Sequence, residues 1–379
     1  MQEHFTDDPA EQWLSERIKV IESSGIRRVF DLGATLKKPI NLSIGQPDFP
    51  VPRAILEAAK RAIDEGYNRY TPTQGLRALQ EAVAQKLERV NGVHVPVDDV
   101  LITAGSSGGI FLALAAVLDP GDELIVPDPY FVMYPQLAAF FGARPVLVDT
   151  YPDFQLNPAR VARAITKRTK AILLNSPNNP TGAVWSEEIL REVAAIADRH
   201  GVLVLSDEVY ENFVYDNTRH FSIGSIYPNT VTLNAFSKSH ALTGWRIGYA
   251  AGPHHLMEKM KELQQYSFVC APSFAQVAAL TALASGPAPE IATYQRRRDL
   301  IYHGLRERFE VIKPQGAFYI MPKVSESDAA PFVEEAIRQN VLIIPSSVFS
   351  KHGTHVRISY ATSEANLEAG LRILRSIGN

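Results

Sequence analysis

The chain has almost no thiol chemistry, since its single cysteine is Cys270. One cysteine excludes an intramolecular disulfide and fits a reducing compartment. Val269-Cys270-Ala271 reads as small buried packing and gives no sign of a reactive thiol. Charge of one sign is also scarce. The net charge is −3 over 379 residues, and no basic cluster is longer than Arg296-Arg297-Arg298. That excludes the electrostatic footprint of a nucleic-acid binder; the triplet, in a charge-rich helical segment, reads as a solvated helix face. Long hydrophobic runs are missing, so a membrane span of ~20 apolar residues is not expected. The opening MQEHFTDDPAEQW is acidic and polar and holds no apolar signal region. A soluble, cytoplasmic protein is expected.

A hydrophobic share of 46% and a charged share of 21% belong to an ordinary globular chain. Its length exceeds what one core usually supports, so two domains are expected. The division predicted is an N-terminal segment, 1–48, packing with a small C-terminal domain, 286–379. A large ligand-binding domain, 49–285, lies between them, with Gly286-Pro287 as hinge.

Along the chain, residues 10–32 read as one helix and 40–44 as a short strand broken at Gly45-Gln46-Pro47. Gly45 marks a turn or a place where a ligand approaches the main chain. Helices over 53–65 and 75–90 follow. From Val100 onward apolar strands alternate with helical patterns, which predicts a mostly parallel sheet covered on both faces. In such sheets ligands sit beyond the carboxyl ends of the strands, and polar clusters fall there repeatedly. A Gly/Ser loop, 103–109, follows the first strand; Asp128-Pro129-Tyr130-Phe131 follows the second. Later strands end in Ser176-Pro177-Asn178-Asn179-Pro180-Thr181-Gly182, in Ser206-Asp207-Glu208-Val209-Tyr210, and in Asn234-Ala235-Phe236-Ser237-Lys238. The glycine patterns of dinucleotide and P-loop sites are missing.

Lys238, with Arg246 eight residues on, organises this set. A lysine can bond an aldehyde, and an arginine grips phosphate through a planar fork of donors. Pyridoxal phosphate carries both groups. Its ring nitrogen needs a buried carboxylate, for which Asp207 is suited; Asn179 and Tyr210 suit its 3-hydroxyl, and Phe131 or Tyr130 could cover its ring. Ser106, Ser107, Ser237 and Arg246 suit its phosphate. Arg357, inside the strand pattern HVRISY, is either half of a structural ion pair or a clamp for a substrate carboxylate.

The ordered motifs SIGQPDF, YTPTQG, AGSSGG, DPYF, NSPNNPTG, SDEVY, FSKSHALTGWRIGY, GAFY and VRISY resemble the class I/II aminotransferases, fold-type I enzymes of pyridoxal phosphate. The resemblance runs nearly end to end. It implies an α/β fold with a mostly parallel seven-stranded sheet plus a small α+β domain. It also implies transfer of an amino group from an L-amino acid, aspartate, aromatic or alanine-like, to a 2-oxo acid. Lys238 is then the Schiff-base lysine and, with Asp207 and Tyr210, catalytic; Gly45, Asn179 and Arg357 receive the substrate carboxylate. A homodimer with shared sites is implied, Tyr70 resembling the tyrosine that reaches the partner subunit's phosphate. Cis peptides are implied at Asp128–Pro129 and Asn179–Pro180. Ala235 stands where the family often has serine, and Ser107 where some aspartate/prephenate relatives have lysine. A C–S lyase or an aminocyclopropane-carboxylate synthase would keep most of these residues.

Overall fold

The computed structural model describes residues 12–377. Its first strand, β1 (Ile40–Asn41), is short; seven more build the main sheet. They are β2 (Val100–Thr103), β3 (Glu123–Asp128), β4 (Arg144–Asp149), β5 (Thr169–Asn175), β6 (Leu203–Asp207), β7 (Thr230–Ala235) and β8 (Gly248–Ala251). The spatial order is β2-β8-β7-β6-β5-β3-β4. The pairs β7/β6, β6/β5, β5/β3 and β3/β4 are parallel, and only β8 runs against its neighbours. The strand interiors are buried, as strands sandwiched between helices must be, except in the edge strand β4, which is mostly half-buried. The C-terminal region adds β9 (Tyr319–Ile320), β10 (Val341–Leu342), β11 (Ile344–Pro345) and β12 (Val356–Ser359). β12 lies between β11 and β9, antiparallel to both, while β1 pairs with β10 in parallel. Among the described residues no helix is long and apolar enough to cross a membrane.

The local departures from the sequence reading each have a cause. The helix expected over 10–32 is two, Glu16–Lys19 and Gly25–Thr35; residues 10 and 11 lie outside the described range. Ser24 starts the second helix, its hydroxyl accepting from the Ile26 N–H at 3.3 Å. The 40–44 strand stops at Asn41, whose side chain takes both the N–H and the hydroxyl of Ser43, at 3.0 and 2.7 Å, and turns the chain. The Gly/Ser loop is largely helix, because the element that follows β2 begins at Gly105 and runs to Val117. Asp128–Pro129 is cis as expected; Asn179–Pro180 is not, and the other cis bonds are Tyr151–Pro152 and Ser176–Pro177. Arg298 corrects the solvated-face reading. It shares a buried helix stripe with Tyr294, Ile301 and Leu305 and donates to Asp216 at 2.9 Å and Asp299 at 2.8 Å. Cys270 is only partly buried, and Val269 beside it is exposed.

Candidate active site

The strand register brings the chemistry together. Asn175 at the end of β5 is level with Asp207 at the end of β6, and Asp207 is level with Leu233 of β7, just before the lysine segment. β7 breaks into a four-residue helix, Phe236–Ser239, which carries Lys238. These ends form the floor of a cavity of about 640 Å³. Every candidate residue lines it except Tyr130, the alternative to Phe131, and Tyr70, which is 85% exposed and stands apart.

On the floor, Lys238 Nζ donates to the Gly45 carbonyl at 2.5 Å. Burial, reinforced by the cations Arg357 and Arg246 against the pull of Asp207, brings its pKa down to about 8. At pH 7 roughly one such amine in ten is neutral, against fewer than one in a thousand for an ordinary lysine. The Asp207 carboxyl is pushed up to about 6 by burial, although the Tyr134 hydroxyl donates to it at 2.8 Å and the Val209 N–H at 3.3 Å. Asn175 steadies the same residue from the side by donating to its carbonyl at 2.9 Å. A buried carboxyl held this way is poised to receive a cationic N–H.

At one end Ser106 and Ser107 occupy the first turn of the Gly105–Val117 helix, where no side chain caps the backbone N–H groups. Free N–H groups there suit an anion. Gly105 has φ +71°, and a Cβ on it would stand 2.6 Å from Arg246 Nη2, so the guanidinium lies against bare backbone. Arg246, itself at φ 53°, is held there by donating to the carbonyls of Thr243 (3.0 Å) and Ala104 (3.3 Å). Ser237 lines the same end. Phe131 flanks the cavity, edge-on to Tyr134 with ring centroids 5.6 Å apart.

Arg357 forms the other end. It is 1% exposed, and among the described residues no carboxylate pairs with it. Its Nη1 donates to Asn179 Oδ1 at 3.0 Å and its Nη2 to the Ser43 carbonyl at 2.6 Å, while Nε has no partner. The rings of Tyr319 and Phe349 sandwich the guanidinium at 4.6 and 4.5 Å. The structural ion pair is therefore not what holds Arg357. A buried guanidinium fork with an orphaned donor is built for an anion that arrives from outside the chain. Gly45 is required here by close approach, since a Cβ on it would meet the Tyr319 hydroxyl at 2.3 Å. The hydroxyls of Tyr319 and Tyr210 are hydrogen-bonded at 2.8 Å, which fixes Tyr210 toward the floor.

Several functional partners carry no sequence signal of their own. Tyr134 lies in the first turn of the Met133–Phe140 helix, in an apolar pattern, and Asn175 ends a strand like many others. Tyr319, within the motif GAFY, had no role until the fold set it against Gly45, Tyr210 and Arg357. Ile21, Glu22, Ser24, Ile26 and Arg27 also reach the cavity from the N-terminal segment.

The donor set fits pyridoxal phosphate: an amine with a lowered pKa, a buried acid, an uncapped helix start beside a guanidinium, and a neutral hydroxyl and amide between them. The match extends beyond this chain. The family described as aminotransferase class I and II matches residues 37–374. The probable aspartate aminotransferase of Methanocaldococcus jannaschii is 39% identical, the alignment covering 96% of this chain and 99% of that one. Aromatic-amino-acid aminotransferase 2 of Thermococcus litoralis is also 39% identical, covering 94% and 96%. The solved aspartate aminotransferase from Thermus thermophilus with maleate superposes with a TM-score of 0.90 at 38% identity, covering 96% and 98%.

Proposed function

This chain belongs to the class I and II aminotransferases, and from that premise we propose how its own residues carry the transfer. It is a pyridoxal-phosphate-dependent enzyme that moves an amino group from an L-amino acid to a 2-oxo acid. Pyridoxal phosphate, when bound, supplies an electron sink for charge developing at the substrate's α-carbon. Lys238 holds the cofactor's aldehyde carbon and, once released as a free amine, moves the proton at the α-carbon. Asp207 holds the ring nitrogen protonated, and Tyr134 keeps Asp207 aimed. Asn179 and Tyr210 bind the 3-oxygen, and Phe131 covers the ring. Ser106, Ser107, Ser237 and Arg246 hold the phosphate. Arg357, with Asn179 and the main chain at Gly45, binds the substrate's α-carboxylate. The observation that carries this reading is the buried Arg357 fork, without a carboxylate partner among the described residues, lining the same cavity as Lys238.

The described surface leaves Tyr70 exposed and outside its own cavity. That supports a homodimer in which Tyr70 serves the partner subunit's phosphate. The pairing of β1 with β10 supports grouping the N-terminal segment with the C-terminal domain.

Ser107 itself offers no cation to a distal carboxylate, and apolar Ile21, Ile26, Ile110 and Met133 line the same cavity beside the charged Glu22 and Arg27. This supports a donor range that includes aromatic amino acids as well as aspartate. Single L-amino acids mixed with holoenzyme in the absence of any oxo acid test this. Phenylalanine and tyrosine are expected to convert the cofactor to its amine form at rates within about tenfold of aspartate, a ratio that spans ~1.4 kcal/mol. Conversion by aspartate and glutamate alone would overturn the broad reading.

A further inference from the structure

The turn that follows β6 has two faces. Asp207 and Tyr210 line the cavity, whereas Glu208 and Glu211 point away from it into the protein. The turn is tied at both ends: Glu208 N–H donates to the Leu233 carbonyl at 2.8 Å, and Glu211 N–H to the Glu208 carbonyl at 2.9 Å.

Behind it lies a closed polar network that the mechanism above does not use. The Glu208 carboxylate, 1% exposed, accepts from Ser206 at 2.9 Å, Ser222 at 2.7 Å and Asn91 at 3.3 Å; His220 Nε2 lies 3.0 Å from it. Glu211 accepts from Asn91 at 2.9 Å and pairs with Lys86. Lys86 lies over the Tyr249 ring of β8 at 5.8 Å. Glu208, Glu211 and His220 each offer a ligand atom within 4.8 Å of the others, yet the Lys86 ammonium and the ring of donors already fill that role.

The charged groups favour one another's ionised forms. Burial pulls the His220 pKa down, but the Glu208 carboxylate outweighs it and the net direction is up; Lys86, opposed by burial, is likewise raised by Tyr249 and Glu211. Burial would raise Glu211, and Lys86 and His220 bring it down instead. Two acids therefore face the Lys86 ammonium and an imidazole whose protonated form the neighbouring carboxylates favour, with the His240 imidazole also within electrostatic reach of Glu211. His220 Nδ1 is buried without a partner, but both carboxylates are engaged by the donors named; networks of this kind fix geometry, and breaking one partner leaves a buried charge unpaired.

We propose that Glu208, locked by Ser206, Ser222, Asn91 and His220 and backed by the Lys86–Glu211 pair, is a positioning residue for the cofactor. It fixes from behind the turn that presents Asp207 to the ring nitrogen and Tyr210 to the 3-oxygen. This rests on the assignment of Asp207 to the ring nitrogen, so Asp207→Asn is measured alongside.

The test compares wild type, Glu208→Gln and Asp207→Asn as holoenzymes carrying pyridoxal phosphate labelled with 15N in the ring. Glutamine keeps the shape and one acceptor, but turns an amide donor toward His220 and Asn91. In Glu208→Gln the cofactor's dissociation constant, by equilibrium dialysis, is expected to rise about tenfold. The ring 15N shift should move part of the way toward the unprotonated value, in the direction of Asp207→Asn. An unchanged shift with a dissociation constant within twofold of wild type overturns the proposal, even if the melting temperature falls, because a merely structural role moves only the latter. If Asp207→Asn also moves neither readout, it is the assignment of Asp207 that fails. Should Glu208→Gln not fold, Ser222→Ala removes a single donor from Glu208 and is expected to show a roughly threefold weakening with a smaller shift in the same sense; no change in it overturns the proposal.

Discussion

Replacing Lys238 by alanine lowers kcat by at least about four orders of magnitude while the protein stays folded. General acid–base catalysis alone is worth roughly 10²–10⁴, and in the proposed mechanism the same amine also holds the cofactor covalently. No other lysine among the described residues lines the cavity, so nothing nearby takes over. The remaining contacts, from Asp207, Arg246 and the start of the Gly105–Val117 helix, still bind pyridoxal phosphate without the covalent link. Steady-state turnover with a good donor and oxo acid, beside dialysis of the variant against free cofactor, checks both halves. Turnover within tenfold of wild type removes Lys238 from its role.

Arg357→Met separates binding from stability. The proposed interaction with the substrate is a buried, charge-assisted fork, and truncating one partner of such a pair costs about 2–5 kcal/mol. That corresponds to a fall in kcat/KM of about 30-fold to several thousand-fold, carried chiefly by KM. Without cofactor or substrate the balance differs. The variant orphans the Ser43 carbonyl and Asn179 Oδ1, at about 1–3 kcal/mol each. It also relieves a buried cation without a carboxylate partner, a penalty of several kcal/mol. The two nearly offset, so the melting temperature of the cofactor-free variant should stay within a few degrees of wild type. A donor KM unchanged from wild type would take Arg357 out of the substrate site; a collapse in melting temperature would make its role structural.

Much of this site is legible in the sequence because its residues sit at strand ends. The alternation of buried strands and helices fixes where those ends are, and a parallel sheet gathers them on one edge. Asp207, Asn179 and Lys238 are thus predictable from position, and Arg357 from the oddity of a cation inside a strand. What escapes is whatever depends on distance across the fold. Tyr134 is an unremarked apolar-helix residue until its hydroxyl meets Asp207, and Tyr319 acquires a role only through the missing Cβ of Gly45. Arg298 was misread for the same reason, because its partner Asp216 is far away along the chain. The N-terminal helix over 10–32 failed locally, since a hydroxyl cap at Ser24 outweighs a weak helical pattern. The cis bond placed at Asn179–Pro180 lies at Ser176–Pro177 instead, in the same loop, because a turn-rich sequence with two prolines does not single out which one.

Every proposed role in the site follows from Lys238 being the residue that holds pyridoxal phosphate. Borohydride reduction of the holoenzyme, followed by digestion and mass spectrometry, fixes the cofactor to whichever lysine carries it. One cofactor mass per chain is expected, on the peptide containing Lys238. The same mass on Lys86, Lys351 or any other lysine, or no fixed cofactor at all, would contradict it.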